Sequence, residues 1–285
     1  MKFSLHTHSQ FCDGKTDMDQ VCQAAIDKKI NVLGFSSHAP VPIKTFWAMP
    51  FERLSDYLDE VNRCQLKYSD QLQIYRSLEA DYIPGKTIAF DQWRKLAQLD
   101  YVIGSVHLIL NPENGKIMGL DGTPQNYDDG LLSAFGGDIK KAVSCYYKQI
   151  QDMVRLEKPE IIGHMDKVVM NNQNRYFSPQ DAWHQQLIDE TLLVIQAHSG
   201  IVEVNTRGVY RGKYHTWFPN EAIVKRCVAL NIPLTISVDA HQADDLLACF
   251  QEAAETLKEA GADSVGCLID NKWEQIPISA VLAKE

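Results

Sequence analysis

Short runs rich in β-branched and aromatic residues recur along the chain at residues 2–6, 31–37, 73–79, 101–107, 160–164, 201–205 and 233–239. Longer amphipathic stretches separate them, with helix-like spacing over residues 17–29, 51–66, 139–156, 182–199, 221–230 and 243–260. Strands alternating with helices imply parallel pairing through right-handed crossovers. Seven such units predict an α/β fold, a (β/α)7 TIM-like barrel, although a doubly wound open sheet would show the same alternation. Helix punctuation agrees: Ser178-Pro179 reads as a cap with proline at the first helical position, and Gly200 follows a last turn. Residues 111–138, rich in Gly, Asn, Asp and Pro, break the rhythm and are expected to form a long loop over the active face.

No repeat, low-complexity tract or linker marks a boundary, so residues 1–285 read as a single domain, a length that one β/α barrel can fill. With 45% hydrophobic and 23% charged residues the chain can bury a large core. A net charge of −9 argues against a broad nucleic-acid-binding surface and leaves room only for a local basic pocket. The first ten residues hold no apolar stretch suited to a signal peptide, and no run approaches the roughly 18 apolar residues of a membrane span. A cytoplasmic protein with no membrane partner is expected, monomer or homodimer. Seven scattered cysteines without a C-x-x-C pair fit reduced thiols, and only Cys12, beside Asp13, stands near candidate chemistry.

Nearly every predicted strand ends on a residue able to bind metal. His6 and His8 close the first, His38 the second, Glu79 the third, His107 the fourth, His164 the fifth, and Asp239 with His241 the seventh. In a β/α barrel all strand C-termini open on one face, so these residues would converge there. Singly, each has a plainer reading: a satisfied strand-end histidine, a solvated carboxylate, or in Asp239-Ala240-His241 a helix cap. Jointly the plain readings require a long series of coincidences. Arg207 follows the one strand that ends without such a residue, and its guanidinium would face the cluster, able to hold a phosphate or to pair with barrel carboxylates. His184, His198 and His215 fall in helices or a loop, where packing or surface roles are expected.

The order His6-x-His8, Asp13, His38, Glu79, His107, His164, Asp239-x-His241 resembles the polymerase and histidinol phosphatase (PHP) superfamily. Gly104-Ser105-Val106-His107, Ile162-Gly163-His164-x-Asp166, Glu203-x-Asn205-Thr206-x-Gly208 and Asp239-Ala240-His241 look like its monofunctional histidinol-phosphate phosphatases. The resemblance implies a distorted seven-unit barrel with two or three divalent ions, zinc, iron or manganese, acting on a small phosphorylated metabolite. It assigns His6, His8, Glu79 and Asp239 to one ion. Glu79, shared, would join His107 and His164 at a second, and Asp13, His38 and His241 would hold a third. Glu79, Asp239, His241 and Arg207 are then the expected catalytic residues: Glu79 as the carboxylate bridging two ions, Arg207 on the phosphate, and His241 or Asp13, through a metal-bound water, as the acid for the departing oxygen. Val238 stands where the family often has serine, and residues 111–138 have no clear counterpart, so the resemblance speaks to metal binding more than to substrate.

Three other readings compete. Another phosphoesterase of this superfamily would act on nucleotides or phosphotyrosine. An amidohydrolase also uses an H-x-H on its first strand, yet it often carries a bridging lysine at the end of the fourth, where this chain has His107. A non-catalytic metal-binding protein would show the ligands without turnover.

Overall fold

The apolar runs become strands buried on both faces, as a parallel sheet wrapped by helices requires. A computed structural model describes residues 1–283. In chain order the elements are β1 (Phe3–Ser4), α1 (Met18–Asp27), β2 (Val32–Phe35), α2 (Leu54–Tyr68), β3 (Gln73–Asp81), α3 (Phe90–Ala97) and β4 (Tyr101–Ser105). Next come β5 (Leu108–Leu110), β6 (Ile117–Gly119), α4 (Pro124–Phe135), α5 (Ile139–Leu156), β7 (Ile161–Ile162) and α6 (Ala182–His198). The chain continues through β8 (Ile201–Asn205), α7 (Arg207–Tyr210), α8 (Glu221–Ala229), β9 (Leu234–Ser237) and α9 (Phe250–Glu259) to β10 (Ser264–Ile269), β11 (Lys272–Pro277) and α10 (Ile278–Leu282).

Seven strands form one parallel sheet in the order β1-β2-β3-β4-β7-β8-β9. The sheet curls until its edges meet, but only at the mouth: Thr7 bridges Ala240, the His8 N–H donates to the Ala240 carbonyl at 2.8 Å, and the Ala240 N–H donates to His6 at 3.1 Å. Closure through one bridge, with β1 and β7 only two residues long, makes this a distorted barrel rather than an even one. Helices cover the outside through regular apolar stripes. On α2 the buried side chains are Leu54, Tyr57, Val61, Cys64 and Tyr68, spaced three and four apart as one helix face demands. The Asp17 side chain accepts from Gln20 N and caps α1, and Asn220 does the same for α8. No helix among the described residues is long and apolar enough to cross a membrane.

Several expectations need correction. Residues 111–138 are not a bare loop. The antiparallel β5–β6 hairpin enters this stretch, and a helix follows whose first turn is closed by reciprocal Thr123 and Asn126 bonds, with Pro124 at its first position. Only Tyr127, Leu131, Ala134 and Phe135 are buried on α4, too sparse a stripe to stand out against its polar residues. The cap of α6 is Asp181 rather than Ser178; the Asp181 carboxylate instead accepts from the Ser178 N–H at 3.2 Å. The expected helix over residues 243–260 splits into a 3-10 turn at Ala243–Asp245 and α9, with Cys249 at φ 55° between them. Strands expected to run to 107, 164 and 239 stop at Ser105, Ile162 and Ser237, because the residues beyond them turn into the mouth. Asp239 itself sits at φ 53°.

Candidate metal centre

Six of the seven strand ends, with Asp13 from the segment between β1 and α1, bring His6, His8, Asp13, His38, Glu79, His107, His164, Asp239 and His241 together, eight of them buried and Asp13 partly so. His6 and His8 flank Thr7 and project to the same side, as period-two alternation requires. Their Nε2 atoms lie 3.4 and 3.5 Å from Glu79 Oε2, and Asp239 Oδ1 is 3.9 and 3.2 Å from the same two atoms. Glu79 turns its other oxygen elsewhere: Oε1 is 3.1 Å from His164 Nε2 and 3.5 Å from His107 Nε2, and accepts from Ser105 Oγ at 2.7 Å. Gly163 allows this arrangement, since a Cβ there would stand 2.3 Å from Ser105 Oγ.

Toward the rim, Asp13 Oδ1 is 3.2 Å from His241 Nε2 and 3.8 Å from His38 Nε2. The sets overlap more than the resemblance implies. His8 stands among Asp13, His38 and His241 as well as beside His6 and Glu79, and His38 Nδ1 reaches Glu79 Oε2 at 2.8 Å.

The backs of His6 and His107 are fixed, whereas His164 Nδ1 has no hydrogen-bond partner among the described residues. His6 Nδ1 is 2.8 Å from Glu203 Oε2, which fixes the proton on that side and turns the Nε2 lone pair inward. Asp81 does the same for His107, 2.9 Å from Nδ1 and also accepting the His107 backbone N–H at 2.8 Å. His8 has a thiol in this place, Cys12 Sγ at 3.5 Å from Nδ1. Buried His6 Nε2, His8 Nε2, Asp13 Oδ1 and Asp239 Oδ1 have no hydrogen-bond partner among the described residues, a costly state that a cation would relieve. Imidazole nitrogens and carboxylate oxygens converging without thiolates suit zinc, iron or manganese, so the donor set fits divalent metal ions.

Electrostatics favour the ligating forms of Glu79, Asp239 and His8, while the surrounding carboxylates draw a proton onto His38. Burial would raise the Glu79 carboxyl, but His38, His6 and His107 outweigh it and hold Glu79 well below the usual range. Asp239 behaves alike, against burial, through His6 and Arg207. Burial pulls His8 well down, helped by His241 and His38, so its ring stays neutral. His38 is pushed up to about 10 despite burial, chiefly by Glu79, which shows how much negative charge the mouth concentrates.

Arg207 faces the mouth as expected. Its Nη1 donates to the Asp239 carbonyl at 2.8 Å and contacts Tyr210 Oη at 3.2 Å, while Nε is 4.0 Å from Asp239 Oδ2. The cavity, about 260 Å³, is lined by Asp13, His38, Trp47, His107, Lys167 and Arg207 among others, with Phe46 at the rim, 92% exposed. Trp47 packs 4.7 Å from the His38 ring and 5.6 Å from that of His107. His184 is a packing residue, between Tyr147 Oη and the Pro179 carbonyl, and His198 Nδ1 meets the Val194 carbonyl at 2.9 Å.

Sequence reasoning gave no role to Asp81 or Lys167, and quoted Ser105 and Glu203 only as parts of motifs. Asp81 was detectable in principle, as the second acid of Glu79-x-Asp81 on one strand face. Glu203, a fully buried acid in an otherwise apolar strand, carried a similar signal.

A PHP domain profile matches residues 4–207. The histidinol-phosphatase of Bacillus subtilis (strain 168) is 28% identical over 264 residues, covering 85% of this chain and 94% of that one. The crystal structure of a Listeria monocytogenes protein superposes with a TM-score of 0.76 at 21% identity, over 88% of this chain and 99% of that one. That of histidinol phosphate phosphatase from Lactococcus lactis, complexed with zinc, L-histidinol and phosphate, gives a TM-score of 0.69 at 20% identity, over 96% and 98%.

Proposed function

This chain belongs to the PHP domain family, and from that premise we propose that it is a metal-dependent phosphomonoesterase, a single domain that hydrolyses L-histidinol phosphate to L-histidinol and phosphate. One observation carries the reading: Glu79 turns Oε2 to His6 and His8 and Oε1 to His107 and His164. A carboxylate shared in this way suits a bridge between two divalent ions, zinc, iron or manganese, with a third held by Asp13, His38 and His241. Bound there, such ions supply Lewis acidity toward phosphoryl oxygens and lower the pKa of a water.

The side chains do the rest. Arg207, tethered through Nη1 to the Asp239 carbonyl, has its remaining nitrogens for paired hydrogen bonds to the phosphate. Asp13 and His241, 3.2 Å apart at the rim, would hold the third ion and orient a water able to protonate the departing alkoxide oxygen. Phe46, Trp47 and Phe218 line the cavity and offer aromatic faces to a planar leaving group such as an imidazole. The zinc, L-histidinol and phosphate held by the Lactococcus protein support the same assignment.

The test is phosphate release by metal-reconstituted protein across phosphorylated metabolites, nucleotides and a phosphotyrosine peptide, with an amide and lactone panel in parallel. Histidinol phosphate should have the highest kcat/KM. Arg207→Ala should lower that value about 10- to 200-fold, the equivalent of a lost charge-assisted contact, with metal content intact. Turnover of amides or lactones without turnover of any phosphate ester would replace this reading with the amidohydrolase one.

A further inference from the structure

The 3-10 turn after His164, Lys167–Val169, turns a lysine back into the barrel mouth. Lys167 is only 8% exposed and lines the same cavity as Arg207 and His107. Its Nζ stands 3.1 Å from Asp121 Oδ1, on the segment that follows the β5–β6 hairpin. Lysines are rarely buried unless an opposite charge requires them, and an ammonium has three N–H groups to place. Asp121 is its one close charged partner among the described residues, and that carboxylate is itself 42% exposed. Lys167 and Arg207 also follow neighbouring strands, β7 and β8, so both cations flank one stretch of the mouth.

We propose that Lys167 is a second positioning residue for the phosphoryl group, kept at the cavity wall by Asp121 and presented to a phosphoryl oxygen beside Arg207. The inference rests on the phosphatase reading and deepens it. A pair that merely fastened the hairpin to the barrel would not need its lysine end sunk into the cavity wall. Arg207 supplies a planar fork and Lys167 a compact point charge, so the two divide recognition of a tetrahedral dianion between direction and charge. Asp121 lowers the cost of keeping an ammonium in so enclosed a place.

The experiment uses the metal-loaded full chain and its Lys167→Met, Lys167→Arg and Asp121→Asn variants. Inorganic phosphate binding is measured by titration calorimetry, with metal content, melting temperature and the kinetics of histidinol phosphate and an aryl phosphate alongside. Lys167→Met should weaken phosphate binding and raise KM for both esters by about 10- to 150-fold, with metal content unchanged. Lys167→Arg should recover part of this. Asp121→Asn should fall between parent and Lys167→Met, because the ammonium survives without its clamp. Unchanged phosphate affinity in Lys167→Met, or a loss in every variant that tracks melting temperature alone, overturns the inference. The failures separate: a parent that binds phosphate and hydrolyses esters with an indifferent Lys167→Met sinks only the lysine assignment, whereas a parent inert toward both sinks the phosphatase reading with it.

Discussion

The mouth of the barrel has two halves built on different terms. In the inner half, Glu79 is 1% exposed, His6 and His107 are each backed by a buried carboxylate, and Ser105 steadies Glu79. In the rim half, the Asp13 side chain is 26% exposed, and His241 Nδ1 lies 3.1 Å from the Asp239 carbonyl and 3.3 Å from its Oδ1. The difference separates preorganisation from access. Outer partners fix an imidazole's tautomer and raise its basicity, so the inner half should bind ions tightly and exchange them slowly. The rim half, partly open to solvent, suits an ion that meets substrate and leaves first.

Removing Glu79 should have the largest effect, because one residue serves both inner sets. Glu79→Ala is expected to abolish measurable turnover and to lower bound metal by more than one equivalent in elemental analysis; a variant that kept its full metal complement would break the bridge assignment. Asp13→Ala should come next, losing one equivalent while the inner ions stay. In the parent, stepwise chelation should likewise remove a rim equivalent before activity vanishes, and loss of all ions in one step would erase the distinction between the halves. Glu203→Gln should cost about 10- to 100-fold in metal affinity, the usual range for an outer-shell partner. Cys12→Ala offers the sharpest internal contrast, since His6 and His8 sit on the same strand end with different backing. A weak thiol contact should be worth less than threefold in a competitive metal titration, by the scale of weak hydrogen bonds. His198→Ala, on the outside of α6, should change neither metal content nor turnover.

The cluster was legible because barrel topology converts a sequence rule into a spatial one: a histidine or acid at a strand end lands on one face, however far apart in the chain. Glu203 and Asp81 were harder, since nothing local separates a buried acid that braces a histidine from one that pairs with a lysine. The strand ends were drawn too long for a related reason. His107, His164 and Asp239 continue apolar runs in sequence but leave extended geometry to aim inward, Asp239 at φ 53°. Helix α4 was hidden by Gly130 in its middle, which propensity reads as a breaker. A Cβ at that position would stand 3.1 Å from Met118 Cγ, a tight contact where the helix closes onto β6.

The seam that closes the barrel also orders events in time. Across it the His8 N–H donates to the Ala240 carbonyl, the Ala240 N–H to the His6 carbonyl, and the Lys15 N–H to the His241 carbonyl. A chain emerging from the ribosome therefore carries His6 and His8 more than 230 residues before Asp239 and His241 exist to complete the cluster. Contacts so distant in sequence pay their loop-closure entropy late and slow the final step of folding. The full cluster therefore forms only after β9 has been made, and a chain truncated before β9 should lack both the closed barrel and the Asp239 and His241 side of the mouth.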